Sequence, residues 1–219
     1  MRSVSLLSGG LDSVVATTVA VREGAVELAL TFDYGQRAAR AEIEAGRAVA
    51  RALGIRHRAI ELPWLGEITT SALVDPGRDL PGLAADELDD TSKTQASATA
   101  VWVPNRNGVF INIAAAFAES LGCEGIVCGF NAEEGRTFPD NTPEFAAAAT
   151  SALAFSTLNH VRVWNPTQDL TKVEIVALGR RLGAPLRNVW SCYESGPEAC
   201  GRCESCLRFQ RALREAAVE

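Results

Sequence analysis

Lysine is nearly missing from this chain. Of 21 basic residues among 219, only Lys93 and Lys172 are lysines and the rest are arginines. The 27 acidic residues leave a net charge of −6, which excludes a broad electrostatic grip on nucleic acid. No basic arm and no stretch of interleaved basic and aromatic residues offers a base-stacking platform. Histidine occurs only twice, and His57 and His160 both read as surface residues at strand edges rather than as an acid–base pair. No apolar run reaches the roughly 18 residues that span a bilayer. The N-terminus meets Ser8-Gly9-Gly10 too soon to contain the apolar stretch of a signal peptide. A soluble, cytoplasmic protein with neither nucleic acid nor membrane as partner is expected.

What is present is globular. Hydrophobic residues make up 47% and charged residues 22%, enough for a core without disulfide staples. Arg2–Leu7 reads as a strand ending at a glycine pair, Ser13–Arg22 as a helix capped by Asp12 or Ser13, and Glu27–Phe32 as a strand. Arg37–Leu53 follows as a helix closed by Gly54, then His57–Glu61 as a third strand. After an excursion the rhythm resumes with helix Gly108–Leu121, strand Gly125–Cys128, helix Pro143–Ser156, strand Val161–Trp164 and helix Thr171–Leu182. Strands alternating with helices of this length predict an α/β fold, doubly wound around a mainly parallel sheet. Residues 62–100, rich in Asp, Gly, Pro and Ser and without sustained period, read as an irregular excursion over the sheet edge, a lid or an oligomer contact. Residues 1–185 form the α/β body and 186–219 a cysteine-bearing knob and helix.

The sharpest N-terminal feature is Ser8-Gly9-Gly10-Leu11-Asp12-Ser13, between the first strand and the first helix. Open α/β sheets bind ligands at this place. The two glycines let backbone N–H groups approach an anion, Ser8 and Ser13 add hydroxyls, and the helix end contributes about half a positive charge. Asp12 is an odd neighbour for phosphate unless it holds Mg²⁺ or fixes the loop, so a metal–nucleotide complex is indicated. No Gly-Lys-Ser/Thr follows, so the loop is not of Walker type, and it is not the dinucleotide Gly-x-Gly-x-x-Gly fingerprint.

At the other end stand Cys192, Cys200, Cys203 and Cys206, spaced C-x7-C-x2-C-x2-C. Four thiolates on so short a stretch are the ligand set of a structural Zn²⁺, with Gly201 easing the turn. An iron–sulfur cluster takes the same four ligands and remains the alternative. Cys123 and Cys128, at a helix end and in a buried strand, read as core packing.

The Ser8–Ser13 loop resembles the PP-loop, S-G-G-x-D-S, of the N-type ATP pyrophosphatases, which cleave ATP between the α and β phosphates and adenylylate a substrate oxygen. Between the two termini stand Phe32-Asp33-Tyr34-Gly35-Gln36-Arg37, Val103-Pro104-Asn105-Arg106-Asn107, Phe138-Pro139-Asp140, Pro143-Glu144-Phe145, Thr171-Lys172-Val173-Glu174-Ile175 and Ser191-Cys192-Tyr193. Taken in order, these resemble the 7-cyano-7-deazaguanine synthases of queuosine biosynthesis along the chain except about 62–100.

The resemblance implies an adenine-nucleotide alpha-hydrolase-like fold and an ATP-dependent carbon–nitrogen ligase. Such an enzyme converts 7-carboxy-7-deazaguanine and ammonia to the nitrile through two adenylylations, as a homodimer using ATP, Mg²⁺ and Zn²⁺. It implies ATP binding by Leu7, Ser8, Gly9, Gly10, Leu11, Asp12, Ser13 and Asp33. Asp12, Arg37, Arg106 and Lys172 would act on phosphates or the carboxylate. Tyr34, Gln36, Arg106, Asn107, Phe138, Asp140 and Glu144 would hold the deazapurine, the acids meeting its guanine-like edge.

Several positions depart from the family pattern. Ala38 stands where the family has His, Asn105 where it has Gly, Glu134-Gly135-Arg136-Thr137-Phe138 for Asp-x-Ser-Gly-Tyr, and Asn141-Thr142 for Cys-Arg. A divergent member that stops at the amide, or conjugates the acid to another amine such as a protein, is one alternative. A PP-loop tRNA-modifying enzyme is another, against which the acidic net charge counts.

Overall fold

The computed structural model describes residues 1–217. Five strands make one sheet: β1 (Arg2–Leu6), β2 (Ala25–Asp33), β3 (His57–Glu61), β4 (Gly125–Val127) and β5 (Arg162–Trp164). Their order is β3-β2-β1-β4-β5 and every pairing is parallel. The chain winds outward from β1 to β3, then returns to the other side of β1 for β4 and β5. Where the direction reverses, the loops after β1 and β4 part and leave a crevice at the strands' carboxyl ends.

Eight helices accompany the strands: α1 (Leu11–Glu23), α2 (Ala39–Leu53), α3 (Pro63–Glu67), α4 (Thr91–Ala100), α5 (Arg106–Ser120), α6 (Pro143–Ser156), α7 (Lys172–Leu182) and α8 (Glu204–Glu215). On one face, Ile111, Ala114 and Ala118 of α5 pack over Val4, Leu30 and Ile126. On the other, Val14 of α1 and Val49 of α2 meet Leu7 and Ala29. A third layer follows, because Val15 of α1 packs against Ile175 and Val176 of α7, which in turn meet Ala212 of α8. Helix α1 is thus covered on both sides, which is why its sequence is apolar all round rather than striped. Its threonines fit this setting by bonding back to the helix: Thr17 Oγ1 donates to the Ser13 carbonyl at 2.6 Å and Thr18 Oγ1 to that of Val14 at 2.8 Å. Among the described residues no helix is long and apolar enough to cross a membrane.

Two details differ from the sequence expectation. Helix α1 begins at Leu11 with Gly10 as its N-cap, and no side chain caps it; neither Asp12 nor Ser13 performs that task, because both already lie inside the first turn. The 62–100 excursion is also not irregular throughout. Asp90 accepts from the N–H groups of Ser92 and Lys93 at 2.9 and 3.2 Å and starts the ten-residue α4. The excursion docks on the C-terminal segment of its own chain: Gly82 bridges Cys203, Arg211 forks both oxygens of Asp89 at 2.9 Å, and Ser97 donates to buried Glu204.

Candidate functional site

A cavity of about 250 Å³ opens at the crevice between β1 and β4. Its floor is the Ser8–Ser13 loop. Gly9 holds φ +86, and a Cβ there would come within 2.7 Å of the Ala45 Cβ and 3.1 Å of the Glu42 carbonyl, so only glycine lets the loop lie this close to α2. Across the loop, a Cβ on Gly129 would stand 2.6 Å from the Ser13 nitrogen. The loop is therefore gripped between α2 and the turn after β4. Ser8 Oγ lies 3.1 Å from Ser13 Oγ and accepts from the Gly10 N–H at 3.3 Å. With no side-chain cap, the N–H groups of Asp12 and Ser13 in the first turn of α1 have no acceptor among the described residues and can meet an anion, and the helix end adds its partial positive charge.

Lys172, the first residue of α7, reaches across this floor. Its Nζ donates to Asp12 Oδ2 at 2.8 Å and to Glu134 Oε1 at 2.7 Å. Burial works against the ammonium, yet the two carboxylates outweigh it and raise the Lys172 pKa above its ordinary value. Burial likewise pushes Asp12 up, whereas Glu134 is pulled down against burial by Lys172. Asp12 Oδ1 is buried and has no hydrogen-bond partner among the described residues. An unpartnered carboxylate oxygen lining a cavity beside an anion-binding loop fits a hard divalent cation such as Mg²⁺.

A second group stands at the β2 end. Phe32 and Phe110 stack with centroids 4.1 Å apart, and beside them Arg106 Nη1 donates to the Tyr34 hydroxyl at 3.3 Å. Burial raises the Tyr34 phenol, keeping it neutral. No carboxylate forms an ion pair with Arg106 among the described residues, which leaves a cavity-lining guanidinium free for an anionic ligand. Glu42 from α2 lines the same lobe, and burial raises its pKa.

The C-terminal segment closes the cavity. Trp190, Ser191, Cys192 and Tyr193 line it, as do Ser205 and Phe209 of α8. The Trp190 N–H donates to the Gly9 carbonyl at 2.9 Å, and the Leu11 N–H meets Ser191 Oγ at 3.4 Å. Immediately behind, the sulfurs of Cys192, Cys200, Cys203 and Cys206 all lie within 4.8 Å of one another, with Cys200 and Cys206 at 3.9 Å. Tetrahedral ligation at about 2.3 Å requires sulfurs about 3.8 Å apart, a spacing Cys200 and Cys206 already have and the cluster as a whole approaches. Backbone N–H groups of Glu194 and Cys200 point at Cys192 Sγ, and Gly201 turns the knuckle at φ +72. Cys123 and Cys128 are buried; Cys128 touches the cavity, but burial pushes its thiol up to about 12, and it stays protonated.

The structure brings Leu7, Ser8, Gly10, Leu11, Asp12, Ser13, Tyr34, Arg106, Asn107 and Lys172 to one cavity. Gly9 lies beneath its surface. Gln36 is buried behind the wall, where it takes the Tyr34 N–H and gives to the Phe32 carbonyl, both at 2.9 Å. Asp33 faces away and accepts from the Gly35 N–H at 3.0 Å. Arg37 lies outside the cavity, spent on Glu194 at 3.1 Å and on the carbonyls of Asp75 and Arg78. Asp140 is buried beside it, taking Asn141 Nδ2 at 3.1 Å, while Glu144 is exposed on α6 and Phe138 stacks on Trp102. Sequence reasoning does not single out Glu42 and sees 134–138 only as a departure; in the structure Glu134 keeps a carboxylate where the family pattern has Asp. For Glu134 the signal was available in that replacement, whereas Glu42 sits among the Arg and Glu of an amphipathic helix and is conspicuous only once folded.

A family model described as "Queuosine biosynthesis protein QueC" matches residues 2–217. The chain is 54% identical over 219 residues to the 7-cyano-7-deazaguanine synthase of Pelotomaculum thermopropionicum, covering 100% of this chain and 99% of that protein. It is 56% identical over 218 residues to the 7-cyano-7-deazaguanine synthase of Desulforamulus reducens, covering 100% and 96%. Among solved structures, a 4-thiouridine synthetase–RNA complex with bound ATP superposes with a TM-score of 0.53 at 18% identity, over 99% of this chain and 51% of that one. That likeness supports the fold alone.

Proposed function

The chain belongs to the QueC family of queuosine biosynthesis proteins, and from that membership we propose how its cavity forms a carbon–nitrogen bond at the expense of ATP. It acts as a 7-cyano-7-deazaguanine synthase. The observation that carries the reading is the uncapped, glycine-gripped Ser8–Ser13 loop facing Lys172 and Arg106 in one cavity.

In this reading Leu7 to Ser13 cradle the ATP phosphates, and Asp12 with Lys172 sets the charge beside them. Asp12 would hold Mg²⁺ through its unpartnered Oδ1, and the ion would supply positive charge beside the phosphates. Arg106 meets the carboxylate of 7-carboxy-7-deazaguanine and Asn107 stands beside it. A carboxylate oxygen attacks the α phosphorus and pyrophosphate leaves; the N–H groups at the start of α1 stabilise the charge that develops. Ammonia then attacks the acyl carbon, loses a proton, and expels AMP, leaving the amide. The amide oxygen attacks a second ATP, again releasing pyrophosphate. Loss of AMP, with both amide protons given up, leaves the nitrile.

We treat residues 1–185 as the nucleotide-binding body and 186–219 as a zinc-held knob that completes it. Asp33, Gln36, Arg37, Phe138, Asp140 and Glu144 serve as supports around the cavity rather than as its lining. The enzyme is taken to work in the cytoplasm as a homodimer. Phe155 on the outer face of α6 and Leu158 just beyond its end are almost fully exposed, which supports a second copy as their cover.

The test is mass spectrometry of the protein with ATP, Mg²⁺, ammonium and 7-carboxy-7-deazaguanine, with pyrophosphate assayed in parallel. Nitrile with two pyrophosphates per turnover is expected. Pyrophosphate with amide as the final product would limit the reaction to its first half, and no pyrophosphate would overturn the reading.

A further inference from the structure

We propose that Glu42 is the specificity-determining residue of the cavity, its carboxylate accepting the ring N1–H and the exocyclic amine of the deazaguanine edge. This rests on the synthase reading above.

The guanine edge offers two adjacent N–H groups, for which a carboxylate is the matching acceptor. Such an edge, desolvated without an acceptor, would bind poorly. Of the carboxylates near the cavity, Asp12 and Glu134 each give one oxygen to Lys172 and so already have a cation. Asp140 does not line the cavity and is held by Asn141, and Glu144 is exposed on α6. Glu42 remains. It lines the lobe formed by Tyr34, Arg106, Asn107 and Phe110.

Its geometry is set in advance. Gln36 Nε2 donates to Glu42 Oε2 at 2.7 Å and, on its other side, to the Phe32 carbonyl, while Gln36 Oε1 takes the Tyr34 N–H. Every group on that amide is used, so the carboxylate is aimed by a side chain that has no freedom of its own. Among the described residues no cation forms an ion pair with Glu42 and no donor reaches its other oxygen. A half-buried carboxylate with no ion-paired partner, Arg106 acting on it only from across the lobe, is well matched to a ligand that brings N–H donors. The stacked Phe32 and Phe110 rings beside it suit a flat bicyclic base.

The test compares wild type, E42Q and E42D in steady-state kinetics, with calorimetric binding of the acid alongside a non-hydrolysable ATP analogue. E42Q keeps the side chain's volume but replaces an acceptor with a donor. It should raise KM for 7-carboxy-7-deazaguanine about 100-fold or more while leaving KM for ATP within about twofold; E42D should recover part of the loss. An analogue lacking the 2-amino group should bind wild type more weakly and should show a much smaller penalty on E42Q. If E42Q instead raises KM for ATP, or moves KM for the acid less than about threefold while wild type still makes nitrile, this assignment falls and the synthase reading stands. If wild type neither binds nor converts the acid, both fall.

Discussion

The Nζ of Lys172 lies 2.8 Å from Oδ2 of Asp12, a contact that joins residues 160 positions apart and ties the start of α7 to the Ser8–Ser13 loop. Because the same ammonium holds Glu134 at 2.7 Å, it keeps two carboxylates from facing each other, and an anionic ligand, across the cavity.

Replacing Lys172 with methionine should therefore cost both stability and turnover. Leaving two buried carboxylates without their cation is expected to cost about 3 kcal/mol, read as a lower denaturant midpoint. Pyrophosphate release should fall about 100-fold or more. K172R, which keeps the charge but not the compact head, should restore stability better than rate.

Gly9→Ala tests the loop itself. The residue sits at φ +86 with Ala45 2.7 Å from the Cβ that would be added. The left-handed backbone alone costs about 1–2 kcal/mol for a non-glycine residue. Relief by shifting the loop would lift it from its place over α2. Thermal unfolding should drop by several degrees, and KM for ATP should rise more than KM for the deazapurine.

The knob should be metal-dependent, and nucleotide binding should depend on the knob. Metal analysis is expected to find zinc bound by the four-cysteine cluster, and Cys203→Ser should lose it. Since Trp190 and Ser191 contact Gly9 and Leu11, ATP affinity measured by calorimetry should weaken about tenfold or more in C203S or after chelation. The circular dichroism of the sheet should change little. Retention of full ATP affinity without metal would dissociate the knob from the loop.

His57 offers a pH signature. Its Nε2 lies 2.8 Å from Thr31 Oγ1, and half-burial, helped by Arg47, lowers its pKa. The unfolded chain then binds the proton more readily than the folded one. Stability is full above the ordinary histidine range and falls as pH drops below about 6.5, until the folded imidazole also protonates. With zinc kept saturating, denaturant midpoints of wild type should decline over that window, and those of H57Q should decline less.

The parts of this architecture that were legible in the sequence are those in which chemistry is concentrated locally. Ser8–Ser13 carries its meaning in six consecutive residues, and the cysteines carry theirs in spacing. The alternation of strands and helices followed from apolar runs punctuated by glycine, and Gly54 does close α2 in the left-handed conformation. Helix α4 was not legible, because Thr91–Ala100 has no apolar period; its order comes from the Asp90 cap and from docking on Glu204. Nor could Arg37 be placed, since only the fold shows its guanidinium spent on Glu194 and two backbone carbonyls. Glu42 is the converse case, an unremarkable helical acid until Gln36 and the cavity give it a direction.

The bond from the Trp190 N–H to the Gly9 carbonyl also bears on synthesis. A nascent chain makes its Ser8–Ser13 loop well before the segment that braces it. Until residues 190–209 have been made, the loop lacks its wall and the cavity its far side. The Gly9 carbonyl therefore gains its Trp190 partner only after all five strands of the sheet have been made.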